Sequence, residues 1–144
     1  MYVDSQLLFS DAQPITAAAG STNTIDLGAV RDIGSGRPLY LVISVDVAMT
    51  DGSSDSTLTV AIEGDSTTTI TPDGTANVLT IPAVSAAGAM FIVALSPTLS
   101  PLQYQYIRLL YTPNNGNLST GSFTAFLALD VQNYKAYADN ITIS

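Results

Sequence analysis

Hydrophobic and polar residues alternate with a period of two along much of this chain. Over residues 39–47 the odd-numbered positions are all large and apolar: Leu39, Leu41, Ile43, Val45 and Val47. Successive side chains of a β-strand point to opposite faces of a sheet, so this pattern predicts a strand with that set on the buried face. The even-numbered positions, Tyr40, Val42, Ser44 and Asp46, are predicted to face outward.

The same alternation recurs further along the chain. Three more inward-facing sets are predicted: Leu58, Val60 and Ile62; Ile107, Leu109 and Tyr111; and Phe123, Ala125, Leu127, Leu129 and Val131. Residues 78–81 and 90–95 are more uniformly apolar and also predict strands. Residues 24–27 and 67–71 are weaker strand candidates, rich in Thr and Ile.

Turn-forming residues separate these segments, as in Asp51-Gly52, Asp73-Gly74 and Asn114-Asn115-Gly116. These residue types tolerate the positive φ angles that tight turns require. About eight short strands at a spacing of roughly ten residues are typical of an all-β sandwich or barrel. We expect antiparallel strands in a jelly roll, with a generic Greek-key sandwich as the alternative.

The two ends of the chain differ from its middle. Residues 1–16 hold the apolar cluster Leu7-Leu8-Phe9 in a polar segment with little alternation. This segment is predicted to be either an edge strand or lid of the sandwich, or an extended arm that docks on a neighbouring chain. Residues 17–144 are predicted to form one β-sandwich domain. Tyr134 and Tyr137 pose the same alternatives, because tyrosines suit both interfaces and the ends of a core.

Composition narrows the function. The 144 residues suit a single domain, and only 11% of them are charged, against about 25% in an average soluble domain. The net charge is −8, with Arg31, Arg37, Arg108 and Lys135 as the only cations. Each neutralised phosphate needs its own Lys or Arg, so neither nucleic acid nor an anionic membrane is an expected partner.

Targeting signals are not recognisable in the sequence. The first residues lack the basic and apolar regions of a signal peptide. No run approaches the ~20 apolar residues of a membrane span. We therefore expect synthesis in the cytoplasm.

Candidate chemistry is sparse. The chain contains no His and no Cys, which removes the usual general base, the usual catalytic nucleophile pairs and the common zinc ligands. Glu63 and Asp65 are the closest acidic pair, and they are interpreted as solvated loop acids. The oxygen-rich segment 51–56 lacks the spaced carboxylates of a calcium loop. We expect no enzymatic activity, no metal and no cofactor.

Several blocks resemble a known family. They are Leu8-Phe9-Ser10-Asp11-Ala12-Gln13, Ile25-Asp26-Leu27-Gly28, Arg31-Asp32-Ile33-Gly34, Pro38-Leu39-Tyr40, Tyr106-Ile107-Arg108-Leu109, Thr120-Gly121, Thr124-Ala125 and Leu129-Asp130-Val131-Gln132. These blocks are similar to those of the capsid cement (decoration) proteins of tailed bacteriophages. The resemblance implies a jelly-roll subunit without enzymatic activity, made in the host bacterial cytoplasm. It would bind the outer surface of a shell of HK97-like major capsid proteins and clamp it non-covalently.

The contacts that such a role requires are predicted from exposure rather than from the resemblance. The candidate capsid or subunit contacts are Leu7, Leu8, Phe9, Arg31, Arg37, Tyr134 and Tyr137. Closed point-group symmetry favours a homo-oligomer, with a dimer expected first and a trimer second. The competing hypothesis is a carbohydrate- or receptor-binding β-sandwich of a phage tail or fibre, although the chain has no Trp to form an aromatic sugar platform.

Overall fold

A computed structural model describes residues 7–26, 39–95, 101 and 104–128. These residues form nine strands: β1 (Leu8–Pro14), β2 (Ala19–Gly20), β3 (Ile25–Asp26), β4 (Leu39–Thr50), β5 (Thr57–Asp65), β6 (Gly74–Ile81), β7 (Met90–Leu95), β8 (Tyr106–Asn114) and β9 (Thr120–Ala128). No α-helix occurs in these ranges. The predicted all-β class is confirmed.

Two antiparallel sheets form the sandwich. The four-stranded sheet has the order β1-β9-β4-β7, and the five-stranded sheet has the order β2-β8-β5-β6 with β3 also paired to β8. The pairing is nested, because β1 pairs with β9, β2 and β3 with β8, β4 with β7, and β5 with β6. This is the connectivity of one long hairpin rolled into two sheets, so the predicted jelly roll is confirmed.

The core lies between the two sheets and follows the period-two pattern. In β8 the residues Ile107, Leu109 and Tyr111 are fully buried, and those between them are half-buried. The ring of Tyr111 stacks on that of Phe123 across the sheets, with centroids 6.1 Å apart and an interplanar angle of 21°. Such a pair adds about 0.5–1.5 kcal/mol beyond its buried area. Leu129 and Val131, predicted for the same face as Phe123, lie outside the described residues.

Val47 does not face the core, contrary to the prediction. Its side chain is 49% exposed. The register between β4 and β9 shifts after Val45, so that Val47 lies opposite Ser122. A shift of one residue moves a strand side chain to the other face of the sheet. Val47 is thereby placed on the outer face, and Met49, beyond it, is fully buried.

Residues 67–71 do not form the predicted strand. They belong to the loop between β5 and β6, and their backbone bonds go to a side chain instead of a neighbouring strand. The N–H groups of Thr67 and Thr71 donate to the Asp65 carboxylate at 2.9 and 2.8 Å. Asp and Thr side chains commonly compete with regular backbone pairing in this way.

Pro101 and Tyr104, which precede β8, pack closely against Gly64 of β5. A Cβ added at Gly64 would lie 2.3 Å from the backbone oxygen of Pro101 and 2.9 Å from Cδ2 of Tyr104. The hydroxyl of Tyr104 donates to the backbone oxygen of Asp73 at 3.3 Å. Only a glycine at position 64 allows this close approach of the two backbones.

Candidate interaction surface

Four strand ends meet at one end of the four-stranded sheet. Strands β1 and β4 begin there, and strands β7 and β9 end there. The register shows this: Tyr40 of β4 lies opposite Ala128 of β9 and Ala94 of β7. Leu8 of β1 lies opposite Phe126 of β9. We call this the Tyr40 end. The segments 1–6, 27–38, 96–100 and 129–144 all join the described residues at strand ends located there.

The predicted contact residues divide into two groups. Leu7 and Leu8 are half-buried at the Tyr40 end. Phe9 is fully buried in the core, so its predicted role as a surface contact is incompatible with this fold. The remaining four, Arg31, Arg37, Tyr134 and Tyr137, lie outside the described residues. They belong to segments that adjoin β4 and β9 at the Tyr40 end.

The first strand explains the placement of Phe9. Residues 8–14 form an edge strand of the four-stranded sheet, which is one of the two alternatives for this segment. Its register with β9 shifts twice, and Ala12 has a φ of 49°. These irregularities let the adjacent residues Phe9 and Ser10 both be buried, which strict alternation would forbid.

An apolar row crosses the outer face of the four-stranded sheet. Leu8, Phe126, Val42 and Ile92 lie directly opposite one another on β1, β9, β4 and β7. Val42 is fully buried and Phe126 is 6% exposed, and both pack against Tyr40 and Ala128. The alternation pattern correctly places Val42 and Phe126 outward. Their apolar character at outward positions is the sequence signal for this second cluster.

A polar network that includes buried hydroxyls joins β1 to the opposite, five-stranded sheet. The hydroxyls of Ser10 and Tyr111 are 2.8 Å apart, and Ser10 donates to Oε1 of Gln13 at 2.7 Å. Since the single Ser10 proton is used on Gln13, Tyr111 is the donor to Ser10. Gln13 Nε2 donates to the Gly20 oxygen at 2.9 Å. Burial raises the pKa of Tyr111 to about 12, against a smaller lowering effect of the Ser10 hydrogen bond.

Glu63 and Asp65 are not solvated loop acids, contrary to the prediction. Glu63 is 5% and Asp65 3% exposed. Glu63 accepts a hydrogen bond from Nε of Arg108 at 2.7 Å on the outer face of the five-stranded sheet. The pKa of Asp65 is lowered chiefly because the Thr67 N–H donates to its carboxylate; burial opposes this, and Thr71 adds to it. Both acids therefore have structural partners.

A metal-binding cluster is absent from the described ranges. These ranges contain no group of three or more acidic, His or Cys side chains able to hold a metal. Asp51 accepts hydrogen bonds from the N–H groups of Ser53 and Ser56 at 3.1 and 3.3 Å, as an Asp in a turn does. The described ranges contain no helix that is long and apolar enough to cross a membrane.

The described surface is acidic. Eight of the twelve acidic residues lie in the described ranges, but Arg108 is the one cation there. Arg108 is paired with Glu63, so it leaves little positive charge at the surface. The described surface therefore consists of apolar, neutral polar and acidic groups.

Comparison with known proteins identifies a family that the chain matches. The model of a bacteriophage-type family, described as Bbp16, matches residues 9–127. No curated protein matches the chain.

Proposed function

Because the chain belongs to the Bbp16 family, we propose that it is a structural protein of a tailed-phage virion that binds the outer surface of the capsid. The match of a bacteriophage-type family over nearly the whole sandwich carries this proposal. In this role the protein clamps neighbouring HK97-like major capsid proteins and stabilises the shell. It is not an enzyme and needs no cofactor.

The fold supports a clamp because its core is rigid and continuous. Buried side chains from both sheets fill it, and no buried side-chain N or O atom in the described ranges lacks a hydrogen-bond partner. A body that does not rearrange loses little conformational entropy on docking. Contacts made from several of its segments then reinforce one another through effective concentration.

The Tyr40 end is the proposed shell-facing part. Leu7 and Leu8 lie there, and the segments that carry Arg31, Arg37, Tyr134 and Tyr137 join the sandwich there. A subunit that binds only assembled shells stabilises them by about 2.7 kcal/mol per site when its free concentration is a hundredfold above Kd. Repetition over the whole shell multiplies this effect without any covalent bond.

Co-sedimentation with undecorated capsids of the same virus tests the proposal. We expect stoichiometric binding and, in cryo-electron microscopy of the pellet, ordered density on the outer surface. Variants Arg31→Ala/Arg37→Ala and Tyr134→Ala/Tyr137→Ala should lower occupancy, whereas the control Thr75→Ala/Thr80→Ala on the exposed face of β6 should not. Absence from capsids together with binding to cell-surface glycans would instead identify a receptor-binding module.

A further inference from the structure

The chain contains a single Asn-Gly pair, Asn115-Gly116. It lies in the loop between β8 and β9, at the end of the sandwich opposite the Tyr40 end. Both residues are exposed, and both have positive φ angles, 66° and 112°. Asparagine and glycine are the residue types that enter this region of backbone conformation most readily. The peptide bond between them is therefore presented at the surface.

The loop is held in place on both sides of this pair. On one side, the Ser119 N–H donates to the Thr50 oxygen at 2.7 Å. On the other side, Nδ2 of Asn114 donates to Oγ1 of Thr59 at 2.7 Å. The pair between these anchors is consequently held at a defined place relative to the neighbouring loop, residues 51–56.

That neighbouring loop contacts the pair through a buried hydroxyl. Ser56, of which 1% is exposed, donates from Oγ to the Asn115 oxygen at 3.3 Å and to the Gly116 oxygen at 3.2 Å. A serine hydroxyl has one proton, so the two carbonyl groups share it. The Asn115 side chain lies against the same loop, since its Nδ2 donates to the Asp55 oxygen at 3.3 Å.

The contact with Ser56 changes the reactivity of the Gly116 nitrogen. The Asn115 oxygen and the Gly116 nitrogen belong to one peptide group. A donor on the oxygen draws electron density from the nitrogen and stabilises the negative charge that develops when the N–H loses its proton. Within the described residues, no hydrogen bond engages this N–H. The nitrogen is therefore both activated and available.

The electrophile is the side-chain amide of the preceding residue. The Gly116 nitrogen reaches Cγ of Asn115 by closing a five-membered ring, and intramolecular attack of this kind has a high effective concentration. A side chain on the second residue would obstruct the approach, whereas glycine has none.

We propose that Asn115 is a site of spontaneous deamidation in which Gly116 supplies the nucleophile. The bond from the Gly116 nitrogen to Cγ of Asn115 forms, and the bond from Cγ to Nδ2 breaks. The proton of the Gly116 N–H passes to solvent, and the departing nitrogen takes up a proton from solvent and leaves as ammonia. Water then opens the succinimide ring at either carbonyl carbon and gives aspartate or isoaspartate. One water is consumed and one ammonia is released, without oxidation or reduction.

The other asparagines of this loop are not placed for the same reaction. Asn117 is followed by Leu118, which is 4% exposed and whose N–H donates to the Thr16 oxygen at 2.9 Å. Its nucleophile is thus obstructed and already bonded. Asn114 is followed by a residue with a side chain, and its amide donates into the strand at Thr59. The reaction is therefore specific to one position.

Deamidation changes the charge and the main chain of this end of the sandwich. The new carboxylate lies beside the loop that carries Asp51 and Asp55, and the net charge becomes one unit more negative than −8. Isoaspartate also adds one atom to the main chain between residues 115 and 116, which displaces the carbonyl groups that Ser56 binds. The modified protein should be less stable, because like charges repel and a buried hydroxyl loses acceptors. This inference is independent of the proposed function, since it concerns the free protein.

Peptide mapping by mass spectrometry tests the proposal on purified protein kept at neutral pH and physiological temperature. We expect residue 115 to exchange NH2 for OH over time, with both aspartate and isoaspartate among the products. Asn117 serves as the internal control and should keep its amide. Asn115→Gln should abolish the change at this position, because its longer side chain must close a less favourable ring.

Ser56→Ala tests the role of the buried hydroxyl. We expect deamidation about fivefold slower, as for the loss of one hydrogen bond. Ser53→Ala, at an exposed position of the same loop, is the matched control and should leave the rate unchanged. An Asn115 amide that persists as long as that of Asn117 would overturn the proposal. A Ser56→Ala variant that reacts at the original rate or faster would overturn the role of Ser56.

Discussion

The hydroxyl of Tyr111 in β8 donates to the hydroxyl of Ser10 in β1 over 2.8 Å, entirely within the core. The two residues are 101 positions apart in the chain and belong to different sheets. The Ser10 hydroxyl in turn donates to Oε1 of Gln13, which also accepts from the Thr22 N–H at 2.8 Å. The edge strand β1 is thus tied to the opposite sheet by polar groups as well as by Phe9.

Removal of either hydroxyl should destabilise the protein. Tyr111→Phe and Ser10→Ala should each lower the free energy of unfolding by about 1–2 kcal/mol, because each leaves a buried polar group short of a partner. The double variant should cost less than the sum of the two, as expected for groups in contact. Urea unfolding measures all three. The control is Tyr106→Phe, at a half-buried hydroxyl that accepts from the adjacent Gln105; additive effects would argue against a shared network.

Tyr111 should also make the stability of the protein depend on alkaline pH. Its pKa is about 12 in the folded state against an ordinary value of 10.0, so between these values the unfolded chain loses a proton that the folded chain retains. This contribution is fully present below pH 10 and is lost as the pH rises toward 12, with an upper limit of roughly 3 kcal/mol. Unfolding free energies measured from pH 9 to 11.5 should fall less steeply for Tyr111→Phe than for the unmodified protein. Equal slopes would contradict the assignment.

Gly64→Ala should be strongly destabilising. The new methyl group would lie 2.3 Å from the Pro101 oxygen, and because that atom belongs to the backbone, the segment before β8 must move. We expect a loss of about 1–3 kcal/mol or more, the range seen for overpacked sites. Thermal unfolding measures it. Gly52→Ala is the matched control, since nothing lies within 4 Å of its added Cβ, and a similar loss in both variants would refute the steric argument.

Removing only one partner of the ion pair between Glu63 and Arg108 should destabilise the protein more than removing both charges. Arg108→Met leaves the Glu63 carboxylate, 6% exposed in its side chain, without its partner. We expect a loss of about 1–3 kcal/mol, less than for a fully buried pair because the arginine is 29% exposed. The double variant Glu63→Gln/Arg108→Met should recover part of this loss in urea unfolding. A double variant that is less stable than Arg108→Met alone would show that the carboxylate has another important partner.

The sequence predicted the regular parts of the sandwich well. Residues 90–95 coincide with β7, and the inward sets of β5, β8 and β9 are buried wherever they are described. In these strands each inward side chain is apolar and each strand pairs over most of its length, so local pattern and tertiary packing agree.

The sequence did not predict the irregular pairings or the partners that lie far apart in the chain. Val47 follows the alternation, but an extra residue of β4 in its pairing with β9 turns it outward. Ser10 and Gln13 gave no signal in the sequence, because their importance depends on Tyr111 and Gly20, far along the chain or across a turn. Glu63 looked like a solvated acid until its neighbour across the strand proved to be Arg108. Such partners are properties of the fold and not of any local window.

The nested pairing has a consequence for how the protein is made. Among the described residues, the first strand, β1, pairs only with β9, the last strand, and β2 and β3 pair with β8, so these strands must wait for partners synthesised much later. Domains rich in such distant pairings fold slowly, on the order of milliseconds to seconds. While the ribosome is still extending the chain, β4 and β5 exist without their central neighbours, and their apolar faces are open to solvent. Closure of the sandwich therefore follows synthesis of β9. Until then β7, which carries no charge, is exposed at the edge of an incomplete sandwich.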